Sequence, residues 1–183
     1  MLLGCMVLCF VGLGSHSAYC QGTMVGELNN EPVDSPDGVE QIAALTDKHE
    51  GLPIRLKGDQ SITTSASFRP PIAITIIAKT DSTNLRMSYA ADQVIFNWEV
   101  DRSQLRIDGG PGDGHHKMGA GEIPTNRYII IRWEVTPDEQ KIYVDNDLRF
   151  EDHGDYSKIN NPIRIFPSHG SIVTVKSIRT KAL

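Results

Sequence analysis

Cysteine is nearly missing from this 183-residue chain: Cys5, Cys9 and Cys20 are the only three, and all lie before residue 21. A domain built from the later residues holds no internal disulfide, so its stability must come from an ordinary core. Basic residues are missing from the start as well, the first being Lys48. Over the whole chain 18 Lys and Arg stand against 23 Asp and Glu, a formal net charge of −5. That balance excludes a general nucleic-acid binder, which needs a basic face to release phosphate counterions. No apolar run reaches the roughly 20 residues of a membrane span. No dinucleotide fingerprint, reactive Cys or Ser/His/Asp order stands in a context that would support that chemistry. A hydrophobic fraction of 39% with 22% charged residues is ordinary for one globular domain and excludes a wholly disordered chain.

What is present begins with the apolar run Leu2 to Leu13, followed by the small and polar residues Gly14-Ser15-His16-Ser17-Ala18. This is the length and order of a signal peptide, so residues 1–20 are read as one, with cleavage between Ser17 and Gln21. The mature chain is then expected to be secreted or periplasmic, without a stable membrane span. Because no Lys or Arg precedes the run, either the α-amino group serves alone or translation starts further upstream. Lipid anchoring is the alternative. Cys20 follows Tyr19 where a lipobox wants a small residue, and Cys5 follows Gly4 but has no apolar segment before it.

Residues 21–50 carry seven acidic side chains against Lys48 alone, whereas residues 51–183 are almost balanced at 17 basic and 16 acidic. The first stretch reads as an acidic linker in which Ser35-Pro36-Asp37 can cap a short helix with Val39, Ile42 and Ala43 on one side. From Pro53 onward the apolar period is two. Ile72, Ile74, Ile76 and Ala78 alternate with their neighbours, as do Val94 and Phe96, Ile129 to Val135, Ile142 and Val144, and Ile172 to Ile178. About ten short strands separated by turn residues, with no helical stripe between them, predict an all-β antiparallel two-sheet sandwich over residues 51–183. Trp98-Glu99-Val100 and Trp133-Glu134-Val135 each open an apparent hairpin, a weak internal repeat that predicts two matched hairpins with both Trp in the core.

The stretch Tyr128 to Val135, then Lys141-Ile142-Tyr143-Val144-Asp145-Asn146, resembles the strand–turn–strand of concanavalin A-like and laminin G-like jelly rolls. Asn146 stands where those domains carry Gly, and Asn tolerates the same left-handed turn. Ser171 to Arg179 resembles their last strand, and the likeness runs over about residues 52–180. It implies a concave face that often binds glycans, with catalysis in some branches only.

A glucanase-like enzyme of this kind needs two carboxylates about a glycosidic bond. Trp98-Glu99-Val100-Asp101-Arg102-Ser103-Gln104 supplies the first two members of such a motif, but Ser103 and Gln104 stand where the acid should be. Glu99 and Glu134 read more simply as members of a surface salt-bridge ladder with Arg86, Arg106 and Arg132. The loop Asp108 to Gly121, with six glycines, offers Asp113, His115 and His116 to a ligand. It is read as a ligand-contacting loop, a metal site or a plain mobile connection. No cofactor is expected; calcium is the alternative, although it wants more oxygens than the loop shows. Sugar recognition needs aromatic rings and planar polar groups. Tyr89, Tyr128, Tyr143 and Tyr156 are expected at the surface, and the candidate binding set is Asn97, Arg106, Arg132 and Tyr143 with Asp113, His115 and His116. The expected function is a non-catalytic carbohydrate-binding module whose partner is a glycan. The alternatives are a protein-interaction domain of laminin G type, meeting an extracellular protein, and a glycoside hydrolase with an unrecognised carboxylate pair.

Overall fold

A computed structural model describes residues 53–183; the expected leader, acidic linker and short helix lie outside the described residues. Eleven strands are present: β1 (Ile54–Lys57), β2 (Ile62–Thr63), β3 (Ile72–Thr80), β4 (Leu85–Ser88), β5 (Gln93–Phe96), β6 (Arg106–Asp108), β7 (Ile129–Val135), β8 (Glu139–Val144), β9 (Asp147–His153), β10 (Arg164–Phe166) and β11 (Ile172–Ala182). They form a six-stranded sheet in the order β1-β11-β3-β7-β8-β9 and a five-stranded sheet in the order β2-β10-β4-β5-β6. Every pairing is antiparallel. The all-β, two-sheet sandwich expected from the alternation is therefore what the chain forms.

The alternation works as a sorting rule. β3 buries Ile72, Ile74, Ile76, Ala78 and Thr80 and turns the residues between them outward. Antiparallel register places Ile74 beside Trp133 and Ile76 beside Ile131, so one apolar face runs across the six-stranded sheet. Leu85, Met87, Val94, Phe96, Ile107 and Ile165 supply the opposing face. Tyr89 and Trp133 meet edge to face with ring centroids 5.9 Å apart, the geometry in which a positive ring edge meets a negative ring face. The β8–β9 turn uses Asp145 and Asn146 at φ 49° and 73°. Two successive left-handed residues make the tight turn that matches strand twist, so Asn146 does serve where a Gly was the family expectation.

Three expectations fail. β5 ends at Phe96, Asn97 turns the chain at φ 49°, and Val100 is 74% exposed. Trp98-Glu99-Val100 therefore opens no strand, and the matched pair of hairpins is not there. Trp133 is buried as expected, but Trp98 is only half-buried. Tyr89 and Tyr156 are core residues rather than surface ones: Tyr89 continues the buried parity of Leu85 and Met87 just past β4, whereas Tyr156 lies beyond β9, where period two carries no information about facing.

Candidate functional site

The residues singled out by sequence do not converge. Asn97 is fully buried; its amide donates to the Ser82 and Ile123 carbonyls at 3.2 and 3.0 Å and accepts from the Ile123 N–H at 2.9 Å. It is a structural bracket, out of reach of any ligand. Arg132 and Tyr143 are cross-strand neighbours on the outward face of the six-stranded sheet. The Arg132 guanidinium lies 4.2 Å from the Tyr143 ring centroid and pairs with Glu134 at 3.2 Å. Arg106 stands on the other sheet.

The glycine-rich loop turns its polar side chains toward its own framework. Asp113 accepts from the Gly109 N–H at 2.7 Å, and His116 Nδ1 accepts from the Ile107 N–H at 3.1 Å. His115 Nδ1 lies 2.7 Å from Asp152 on β9. Asp152 also accepts the hydroxyl proton of buried Tyr156. Burial, with Asp152 beside it, pushes that phenol above its ordinary range, which suits a donor. Backbone bonds from Gly114 to Ile107, between Lys117 and Leu105, and from Gly121 to Ser103 close the loop along β6.

A site emerges instead on the outward face of the five-stranded sheet. Register sets Phe166, Arg86, Ile95 and Arg106 in one row across the strands. Ile95 points outward yet is 1% exposed; its flanking arginines carry long aliphatic stems of the kind that cover such positions. Arg86 donates to Asn84 at 3.0 and 2.8 Å and to Gln93 at 2.9 Å. Gln93 passes a bond to Asp108 at 3.1 Å, which also accepts from Arg106 at 2.9 Å. The Arg106 guanidinium stacks over Trp98, 4.6 Å from its ring centroid. On the other side Arg86 reaches Glu99 at 3.4 Å and His169 Nδ1 at 3.3 Å, while His169 Nε2 meets Glu99 at 3.3 Å. A guanidinium only donates, so the tautomer that fits Arg86 accepts at Nδ1 and turns its Nε2–H toward Glu99. Beside His169 opens a cleft of about 440 Å³ between the turn at 58–60, Arg164, Phe166 and the turn at 167–170.

Burial alone would raise the Glu99 carboxyl. Its own backbone amide, His169, Asn84 and Arg86 outweigh that and hold it below the ordinary carboxylate value. A lowered folded-state value means stabilisation that is complete above the unfolded value of about 4.5 and lost as pH falls through the folded one. The melting temperature of wild type should therefore exceed that of Glu99→Gln at pH 7, with the gap closing below pH about 4.5 as the carboxyl protonates. A gap constant down to pH 3 would remove the ion network from this account.

Part of this face was legible, since outward parity marks Arg86, Gln93, Arg106 and Asp108. His169 was not, because it joins Arg86 across 83 residues of sequence. A carboxylate–histidine group not foreseen, Glu139, Glu151 and His153, lies together on the six-stranded sheet. Lys141 sits at 2.9 and 3.2 Å from its two glutamates and already supplies the positive charge there. Among the described residues no helix is long and apolar enough to cross a membrane.

No family model and no curated protein matches the sequence. Solved structures do match. The carbohydrate-binding module CBM66 from Bacillus subtilis aligns at 16% identity with a TM-score of 0.52, over 80% of this chain and 92% of that one. The β-glucanase of Bacillus licheniformis aligns at 10% identity and TM-score 0.51, over 72% and 78%. β-Agarase A from Zobellia galactanivorans aligns at 12% and 0.50, over 71% and 72%. The fold is thus that of the concanavalin A-like jelly rolls, a group whose members here include both a binding module and hydrolases.

Proposed function

We propose that this chain is a non-catalytic carbohydrate-binding module of an exported protein, and that it holds glycan on the outward face of the five-stranded sheet. The observation that carries the reading is the Arg86–Gln93–Asp108–Arg106 array with Glu99 and His169. Its planar polar groups are held in place by one another before any ligand arrives and are flanked by Trp98 and Phe166. Planar donors and acceptors suit sugar hydroxyls, aromatic rings suit the apolar face of a pyranose, and groups already fixed spare the ordering cost of binding. The fold shared with a carbohydrate-binding module supports the reading. Hydrolysis fits less well. A glycosidase needs one carboxyl kept protonated as an acid, whereas Glu99 is held ionised and Asp108 accepts from Arg106 and Gln93. Ile130 and Leu148, 47% and 45% exposed on the six-stranded sheet, are the observation that favours protein interaction as the second reading.

A glycan-array screen followed by titration tests this. Gln93→Ala and Trp98→Ala should each weaken the best hit about tenfold or more, the scale of one lost hydrogen-bonded or stacked contact. Melting curves should show both variants folded at the assay temperature. Tyr143→Ala and Arg132→Ala should leave affinity unchanged. Loss in the Tyr143 and Arg132 variants instead would move binding to the other sheet, and no binding near 1 mM by any glycan would overturn the reading.

A further inference from the structure

The first strands of the six-stranded sheet carry charge of one sign. β1, β11 and β3 are adjacent, and together they hold Arg55, Lys57, Lys79, Lys176, Arg179 and Lys181 without one Asp or Glu. All but Lys79 are exposed. Among the described residues no carboxylate lies within ion-pair distance of Arg55, Lys57, Lys79, Lys176 or Lys181. Lys79 lies over Tyr128 at 5.0 Å. Beside these cations Ile77 and Ile130 pair across strands on the same outward face, Ile130 being 47% exposed.

The complementary charge is in the same chain. Residues 27–50 carry Glu27, Glu31, Asp34, Asp37, Glu40, Asp47 and Glu50 against Lys48, and Glu50 stands four residues before Ile54, the first residue of β1. The acidic stretch is therefore tethered at the edge of the basic face. Two strand spacings, about 10 Å, separate β1 from β3; a chain of this length spans roughly 25–30 Å on average. Val39, Ile42 and Ala43 recur at i, i+3 and i+4, the spacing that gives a helix one apolar side.

We propose that residues 27–50 dock in cis on the β1–β11–β3 face, their carboxylates against Arg55, Lys57, Lys79, Lys176 and Lys181 and the Val39–Ile42–Ala43 side against Ile77 and Ile130. Single exposed ion pairs are weak, but a tether raises the effective concentration to about the millimolar range, so several weak pairs act together. The contact is intramolecular, and it is screened by salt because its charges are exposed. It is independent of glycan binding on the other sheet.

Zero-length carbodiimide cross-linking of the full-length chain, with peptide mapping, tests it. Carboxylates at Asp34, Asp37, Glu40, Asp47 and Glu50 should join Lys79, Lys176 and Lys181 at about ten times the yield seen with Lys117 and Lys158. The yield should not depend on protein concentration and should fall about fivefold in 0.5 M NaCl, where the screening length is only about 4 Å. Equal yield at all lysines overturns the proposal, as does a yield that rises with concentration, which would mean a second copy supplies the acids. Replacing those five acids by Asn and Gln should shift backbone amide resonances of β1, β11 and β3 alone; shifts elsewhere, or none, also overturn it.

Discussion

Asn97→Ala should destabilise the domain by about 4 kcal/mol and lower its melting temperature by roughly 15 °C. The side chain makes three hydrogen bonds, a part-buried one to the Ser82 carbonyl and two buried ones with Ile123, to its carbonyl and from its N–H. Alanine leaves three backbone groups behind, each costing about 1–3 kcal/mol if water cannot reach it. The φ of 49° adds strain, because Asn tolerates the left-handed region better than Ala. Asn97→Gly isolates that second part: it should recover about 1 kcal/mol of the loss. A denaturant titration giving under 1 kcal/mol for Asn97→Ala would mean the 97–123 bracket does not hold the fold.

Gly121→Ala should cost at least about 3 kcal/mol or prevent folding outright. A Cβ there would stand 2.2 Å from the Gln104 carbonyl oxygen and 2.5 Å from the Leu105 nitrogen. Both are main-chain atoms, so no side chain can swing away. The Gly121 carbonyl also accepts the Asn97 N–H at 3.0 Å, and its own N–H bonds Ser103 at 2.8 Å. Moving the segment away would undo both bonds. Gly119→Ala is the contrast. It has open space at the Cβ position but a φ of +75°, so it should cost only about 1–2 kcal/mol. Equal thermal shifts in the two variants would show that backbone conformation, not close approach, sets the cost. Because Gly121 and Asn97 share a bond, the double variant should lose less than the sum of the singles.

Much of the fold was legible because a strand sorts its side chains by parity. Ile72 to Thr80 and Ile129 to Val135 each gave one buried and one outward set, and both sets were placed correctly. Parity fails where strands end. Trp98-Glu99-Val100 looked like a strand because Asn97 gives no local sign that it will reverse the chain. Tyr89 shares the parity of Leu85 and Met87 and is buried against Trp133, whereas Tyr156, beyond the end of β9, packs beside Gly112, far away in sequence. The candidate site was half-legible for the same reason. Arg86, Gln93 and Arg106 could be assigned to one face, but the sheet they share, and His169 closing the array, depend on β10 lying beside β4. The acidic stretch was visible as composition, while only the strand order shows that three short basic runs form one surface.

The loop from Asp108 to Gly121 has a consequence for the company the protein keeps. β6 ends the five-stranded sheet, and such an edge normally presents unpaired N–H and C=O groups that can template another chain. Here the Leu105 N–H and C=O bond Lys117, the Ile107 C=O accepts from Gly114, and the Ile107 N–H goes to His116. His115 fastens the same loop to Asp152 at the far edge of the other sheet. Both borders on that flank are tied to one segment, and β6 offers nothing for a neighbouring molecule to extend. The loop thus guards β6 against edge-to-edge pairing, which a domain without cysteines would otherwise have to prevent with charge alone.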